Sequence, residues 1–237
     1  MTRPLSLPVS RRLPQGGGSV WTLRDRERVA KLVPAAVERG YIRITTPLVE
    51  GLVRAGVTPN ALTTIGALII AASAIAYGAG AIRLGGWLIL ASGVLDTLDG
   101  QVARRSGQAS PFGAFYDSTL DRVGDGACFI GIAAYLQRAP EVRWRQEAVI
   151  ACMLGILAAL LVSYMRARAE GLGLDCKVGI AQRAERILLL GLPTALIGAG
   201  PEALVLTSIV GVLTILSLIT VGQRFAYVHR VTARTGA

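Results

Sequence analysis

The chain has 237 residues, of which 52% are hydrophobic and 17% charged, with a mean hydropathy of +0.52. An average soluble domain carries roughly 25% charged residues, so the composition argues against an ordinary soluble globular protein and for a membrane protein. A formal net charge of +10 would suit a nucleic-acid partner, but the placement of the basic residues along the chain argues against one.

Residues 1–22 contain Arg11-Arg12 and Gly16-Gly17-Gly18 and read as a flexible basic tail. The tail lacks the apolar run that a cleavable signal peptide needs. Residues 24–40 alternate charges with Val29, Leu32 and Val33, a pattern that predicts a surface helix broken near Pro34. Thr46-Pro47 is a helix-start signal, because proline at the first helical position loses no hydrogen bond. Leu48, Val49, Leu52 and Val53 then form an apolar face opposite Glu50 and Arg54. An amphipathic helix over 46–56, lying in the membrane interface, is predicted. Gly56-Val57-Thr58-Pro59-Asn60 turns the chain into the first of six apolar stretches.

At about 20 residues per crossing, those stretches parse as spans near 60–82, 84–105, 112–137, 147–168, 184–199 and 203–226. The fifth is short, and Pro193 inside it predicts a kink. The expected fold is an all-α integral membrane protein with six transmembrane helices behind an interfacial amphipathic helix. Residues 1–44 form a basic extension, 45–230 the membrane domain and 231–237 a C-terminal tail. Six spans put both termini on one side. Twenty Lys/Arg then fall on that side and four (Arg83, Arg138, Arg143 and Arg145) on the other. This asymmetry predicts cytoplasmic termini in the cell membrane. Cys128, Cys152 and Cys176 give no disulfide or zinc pattern, and a solitary His229 gives no catalytic triad.

Four carboxylates interrupt the second and third apolar stretches. Asp96 and Asp99 are three apart and share a helix face; Asp117 and Asp121 are four apart and share another. A short polar connection, roughly 105–111, predicts that the two helices are antiparallel neighbours with both pairs toward the cytoplasmic side. Ionisable groups at membrane depth are costly, and four negative charges in one volume need cations. Two facing pairs suit two hard cations about 3.5–4 Å apart, an arrangement used for phosphoryl transfer. Gly100 and Gly113 leave room beside the carboxylates for a phosphate, and Arg104 lies roughly on the face of Asp96. Asp125 continues the second stripe and fits an interhelical hydrogen bond better than a fifth ligand position. Structural ion pairing of all four carboxylates is a poor alternative, since buried pairs seldom stabilise a fold.

The run Asp96-x2-Asp99-Gly100-x2-Ala103-Arg104-x8-Gly113-x3-Asp117-x3-Asp121 resembles the signature of the CDP-alcohol phosphotransferases, with every defined position filled. The likeness in hydropathy extends over about 45–228. The resemblance implies that a CDP-linked lipid, CDP-diacylglycerol, gives its phosphatidyl group to an alcohol and CMP leaves. It implies that Asp96, Asp99, Asp117 and Asp121 bind two metal ions, Mg²⁺ or Mn²⁺, with Asp121 as the general base. Pro59, Asn60 and Thr63 resemble the family's segment around the cytidine diphosphate, and Gly100, Arg104 and Ser110 match positions near the diphosphate. Asn60 and Ser110 have an alternative role as helix caps.

Ser163-Tyr164-Met165-Arg166-Ala167-Arg168-Ala169-Glu170-Gly171 and Gly179-Ile180-Ala181-Gln182-Arg183-Ala184-Glu185-Arg186 resemble the branch of the family whose acceptor is inositol phosphate. That branch includes archaeal ether-lipid members. The resemblance implies that Arg166, Arg168, Arg186 and Arg224 hold the acceptor's phosphate. Arg166 stands where bacterial members commonly have Lys, which keeps the charge and changes the geometry. Arg183, Arg230 and Arg234 read as topological charges, Lys177 as a solvated loop charge, and Glu170 and Glu185 as ion-pair partners of the arginines. Glycerol phosphate is the alternative acceptor, and an ion or proton transporter the remote alternative. Gly/Ala-rich spans such as 64–82 allow a homodimer.

Overall fold

The computed structural model describes residues 35–235, with side chains over 43–233; the basic tail and most of the predicted helix 24–40 lie outside these residues. The described chain is all-helical: α1 (Ala35–Arg54), α2 (Pro59–Gly78), α3 (Ile82–Ser106), α4 (Pro111–Arg138), α5 (Arg145–Gly171), α6 (Arg183–Leu196) and α7 (Leu204–Thr235), with a 3₁₀ turn at Pro201–Ala203. Local chemistry sets several boundaries. Thr58 and Ser110 cap α2 and α4 by accepting hydrogen bonds from the backbone N–H of Ala61 and Gly113, and Pro59 and Pro111 follow at positions that need no N–H partner. Gly107, at φ +69°, closes α3 in the left-handed conformation that glycine adopts without penalty.

Among the described residues, three segments are long and apolar enough to cross a membrane: Pro59–Gly78, Arg145–Gly171 and Pro201–Ala233. Helices α3 and α4 have the length, but each carries charged residues within its apolar run, and α6 has only 14 residues. At 1.5 Å per residue α6 is about 21 Å long, short of a typical bilayer core. Pro193 lies inside α6, which ends one turn later at Leu196.

Helices α2 to α7 close into a ring in the spatial order α2, α3, α6, α7, α5, α4. This order corrects one expectation. Helices α3 and α4 do not pack along each other; each packs on α2, which stands between them. Buried hydroxyls stitch the α2–α3 seam: Ser73 donates to the Gly85 carbonyl at 2.8 Å and Ser92 to the Gly66 carbonyl at 3.1 Å. Across to α6, the Tyr77 and Thr194 hydroxyls are 2.9 Å apart. The α2–α4 contact depends on Gly131, where a Cβ would sit 2.1 Å from the Ala74 carbonyl oxygen. The larger core cluster joins Ile70, Tyr77, Ile132, Leu136, Leu206 and Leu213.

The expected start of the first helix at Pro47 is also corrected. Helix α1 begins at Ala35, and Pro47 lies in its interior. Val49 is fully buried against Leu62, Leu98 and Val102, whereas Leu48 stays half-exposed. Polar contacts fix α1 to the end of α3: Arg105 reaches Glu50 at 3.3 Å and Thr46 at 3.1 Å, and Gln101 meets Thr45 at 3.3 Å.

Candidate active site

Two clefts meet at Thr63, Asp99 and Asp117, where α2, α3 and α4 converge. Asp96 and Asp99 come from one face of α3, and Asp117 comes from the first two turns of α4. One carboxylate oxygen from each of the three falls within 4.8 Å of the others. Thr63, on α2, donates its hydroxyl to Asp99 Oδ2 at 2.6 Å and so fixes that carboxylate. Asp117 Oδ1 is buried without a hydrogen-bond partner among the described residues. A buried, unpartnered carboxylate oxygen beside two more carboxylates is what a hard divalent cation neutralises. An all-oxygen donor set suits Mg²⁺ or Mn²⁺, and the residues present fit such an ion.

Asp121 lines the same cleft but is differently engaged. Its Oδ1 forms an ion pair with Arg183 Nη1 at 2.7 Å, and its Oδ2 accepts from Arg122 at 3.3 Å. Arg183 also donates to Asp96. This corrects the reading of Arg183 as a topological charge. Its side chain is only 15% exposed, and it lines the carboxylate cleft. The signal was its spacing. Arg183 and Arg186 are one turn apart on α6, opposite Asp121 and Asp125, which are one turn apart on α4. Arg186 donates to Asp125 Oδ2 at 2.5 Å, and Arg183 Nε lies 3.8 Å from Asp125 Oδ1. Asp125 therefore makes the interhelical contact expected of it.

The second cleft, of about 220 Å³, is lined by all six residues expected at the nucleotide end: Pro59, Asn60, Thr63, Gly100, Arg104 and Ser110. Asn60 does not cap α2, a role taken by Thr58. Its side-chain oxygen lies beside Gly113, where a Cβ would approach it to 3.3 Å. Arg104 folds back over Gly100, with its guanidinium 3.3 Å from where a Cβ would stand. Ser110 combines its cap with a place in the cleft wall.

The four arginines expected at the acceptor end are in different settings. Arg166 is half-exposed and pairs with Glu170 at 2.9 Å. Arg168 is exposed near the end of α5. Arg186 is buried on Asp125 and the Ala181 carbonyl. Arg224 is buried too, donating to the carbonyls of Val178 (2.9 Å) and Val162. Arg166 and Arg186 stand close enough to Arg224 for their charges to act on it. Glu185 is corrected: among the described residues it makes no ion pair and is buried with Oε2 unpartnered, because the adjacent Arg186 turns toward α4. The segment 172–182 is strapped to α7. The Thr220 hydroxyl accepts from Ala181 N–H at 3.0 Å and Tyr227 donates to the Asp175 carbonyl at 2.9 Å. Lys177 pairs in the open with Asp175 at 2.9 Å. Cys176 is fully buried, and burial pushes its thiol above the ordinary range, which removes it as a nucleophile.

A model of the CDP-alcohol phosphatidyltransferase family matches residues 56–227, a stretch that contains both clefts. The chain belongs to that family. It is 39% identical over 204 residues to the phosphatidylinositol phosphate synthase of Cutibacterium acnes, covering 81% of this chain and 95% of that protein. It is 40% identical over 167 residues to the archaetidylinositol phosphate synthase of Methanothermobacter thermautotrophicus, covering 70% and 80%. Two crystal structures of the Mycobacterium tuberculosis phosphatidylinositol phosphate synthase superpose with a TM-score of 0.68 each. One has CDP-DAG bound, at 32% identity over 78% of this chain and 92% of that chain. The other contains manganese and citrate, at 31% identity over 77% and 87%. Membership makes this chain a phosphatidyltransferase of the membrane, with a CDP-alcohol as donor.

Proposed function

We infer that the protein transfers the phosphatidyl group of CDP-diacylglycerol to inositol phosphate, giving phosphatidylinositol phosphate and CMP. The observation that carries this reading is the junction of the two clefts. The expected nucleotide-end residues line one, the carboxylates line the other, and Asp99 and Asp117 belong to both. A diphosphate held by Asn60, Gly100, Arg104 and Ser110 would have its far phosphorus at the carboxylates. The choice of acceptor is supported by the relatives named for inositol phosphate products and by the arginine cluster around Arg224.

Asp96, Asp99, Asp117 and Asp121 would hold Mg²⁺ or Mn²⁺, two ions being what four carboxylates call for. The metal supplies charge neutralisation of the diphosphate and of the departing CMP. Thr63 keeps Asp99 oriented. Asp121, at the edge of the group, takes the proton from the acceptor's hydroxyl as its oxygen attacks the phosphatidyl phosphorus. The bond from that phosphorus to the oxygen of CMP breaks. Arg166, Arg168, Arg186 and Arg224 hold the acceptor's own phosphate, with forked donors suited to it.

In this reading α2 to α7 are six crossings, both termini and both clefts face the cytoplasm, and α1 lies in the interface, with the membrane domain spanning 45–230 between a basic extension and a short tail. The basic asymmetry of the connections supports the orientation. Exposed small residues of the Gly/Ala-rich span 64–82, such as Ala71 and Ala72, support a homodimer. The test is CMP release by the reconstituted protein with CDP-diacylglycerol and Mg²⁺. Release that needs inositol phosphate and disappears in Asp121→Asn supports the reading. Release with free inositol or glycerol phosphate alone would sink the acceptor assignment.

A further inference from the structure

Arg183 is the first residue of α6, and its guanidinium reaches across the ring into the carboxylate cleft. One cation there serves carboxylates on two helices: Asp96 on α3, Asp121 at 2.7 Å on α4, and Asp125 with Oδ1 3.8 Å from Nε. Among the described residues its Nε has no hydrogen-bond partner. The guanidinium is thus held mainly through Nη1 and by charge. Asp96 is shared, since it belongs both to the trio within 4.8 Å and to the Arg183 pair. A divalent cation held by Asp96 would face a guanidinium bonded to the same carboxylate, and like charges at that range repel strongly. Asp125, already beside Nε, offers a place to which the guanidinium can shift without leaving carboxylate contact.

We propose that Arg183 is a positioning residue that serves as the resident counter-cation of the carboxylate group, competing with divalent cations for Asp96 and Asp121 and withdrawing toward Asp125 when they load. This rests on the metal-binding reading above. The device has a physical rationale. Four carboxylates in a membrane protein's interior are strongly unfavourable without compensation, and a built-in cation supplies it before loading. It also raises the cation concentration needed for loading, so removing it has an unusual sign. A residue that merely held the helices together would weaken metal binding when lost. A competing cation would strengthen it.

The experiment is a Mn²⁺ titration of the purified full chain in detergent, with free Mn²⁺ read by electron paramagnetic resonance. Wild type, Arg183→Gln and Arg183→Lys are compared, and elution as a single species serves as the folding control. The expected result is binding to Arg183→Gln about tenfold or more tighter than to wild type, as follows from removing a unit charge a few Å from a dication. Arg183→Lys, with a single-point cation in place of the fork, falls between the two. If Arg183→Gln does not purify as a single species, the lysine variant decides alone. Equal or weaker Mn²⁺ binding in a folded variant overturns the proposal and leaves the metal reading standing. Failure of wild type to bind Mn²⁺ overturns the metal reading and this proposal with it.

Discussion

Replacing Thr63 with valine separates two roles that the sequence leaves together. Thr63 lines the nucleotide cleft, yet its hydroxyl is committed to Asp99 Oδ2 at 2.6 Å. Valine keeps the shape of the side chain, which is 9% exposed, and removes only the donor. A hydrogen bond to a charged acceptor contributes about 1.5–3 kcal/mol. Partners that orient metal ligands typically change metal affinity about 10–100-fold when lost. Thr63→Val should therefore raise the half-saturating Mn²⁺ concentration for CMP release by about 10–100-fold. Saturating Mn²⁺ should restore most of kcat, and the KM for CDP-diacylglycerol should stay near wild type. The assay is CMP release across a Mn²⁺ series at fixed lipid, followed by a lipid series at saturating Mn²⁺. An unchanged Mn²⁺ requirement with a raised KM for the lipid would refute the reasoning, because Thr63 would then act on the nucleotide.

Asp117→Asn removes the carboxylate whose buried oxygen lacks a partner. Its Mn²⁺ binding should weaken more than the Thr63→Val loss, beyond about 100-fold, with CMP release at background. Gly131→Ala drives a Cβ to within 2.1 Å of the Ala74 carbonyl oxygen and must push α2 and α4 apart. Overpacking of about 1–3 kcal/mol predicts a Tm lower by about 2–12 °C, measured by thermal unfolding in detergent. Thr220→Val leaves the Ala181 N–H without its partner and frees one strap of segment 172–182. The KM for inositol phosphate should rise while the KM for CDP-diacylglycerol does not, because only the first depends on the ground between α5 and α6.

Much of the site was legible because its chemistry is local. Asp96 and Asp99 share a face by spacing, as do Asp117 and Asp121, and their cost in an apolar stretch marks them as functional. The six apolar stretches fall on α2 to α7 with shifted ends. Hydropathy alone singles out fewer spans, since the carboxylates and arginines that make the site dilute α3 and α4. What failed was tertiary. Nothing in the short connection from Ser106 to Ser110 reveals that α2 stands between α3 and α4. Basic residues at span ends are usually topological, and that expectation hid Arg183, whose partners are 87 and 62 residues away. Pro47 gave a start signal at a place where α1 was already formed, because the packing of Val49 and the contacts to Arg105 support the helix around it. Glu185 lost its expected partner because Arg166 is taken by Glu170 within its own helix and Arg186 by Asp125 across the ring.

The most direct test of the central claim is a competition between acceptors. The protein, reconstituted with CDP-diacylglycerol and Mg²⁺, is given equimolar inositol phosphate and glycerol phosphate, and the lipid product is identified by mass spectrometry. The account predicts phosphatidylinositol phosphate as the dominant product, formed in step with CMP and lost on removing the metal. Phosphatidylglycerol phosphate as the dominant product, or lipid product formed without divalent cation, would contradict it.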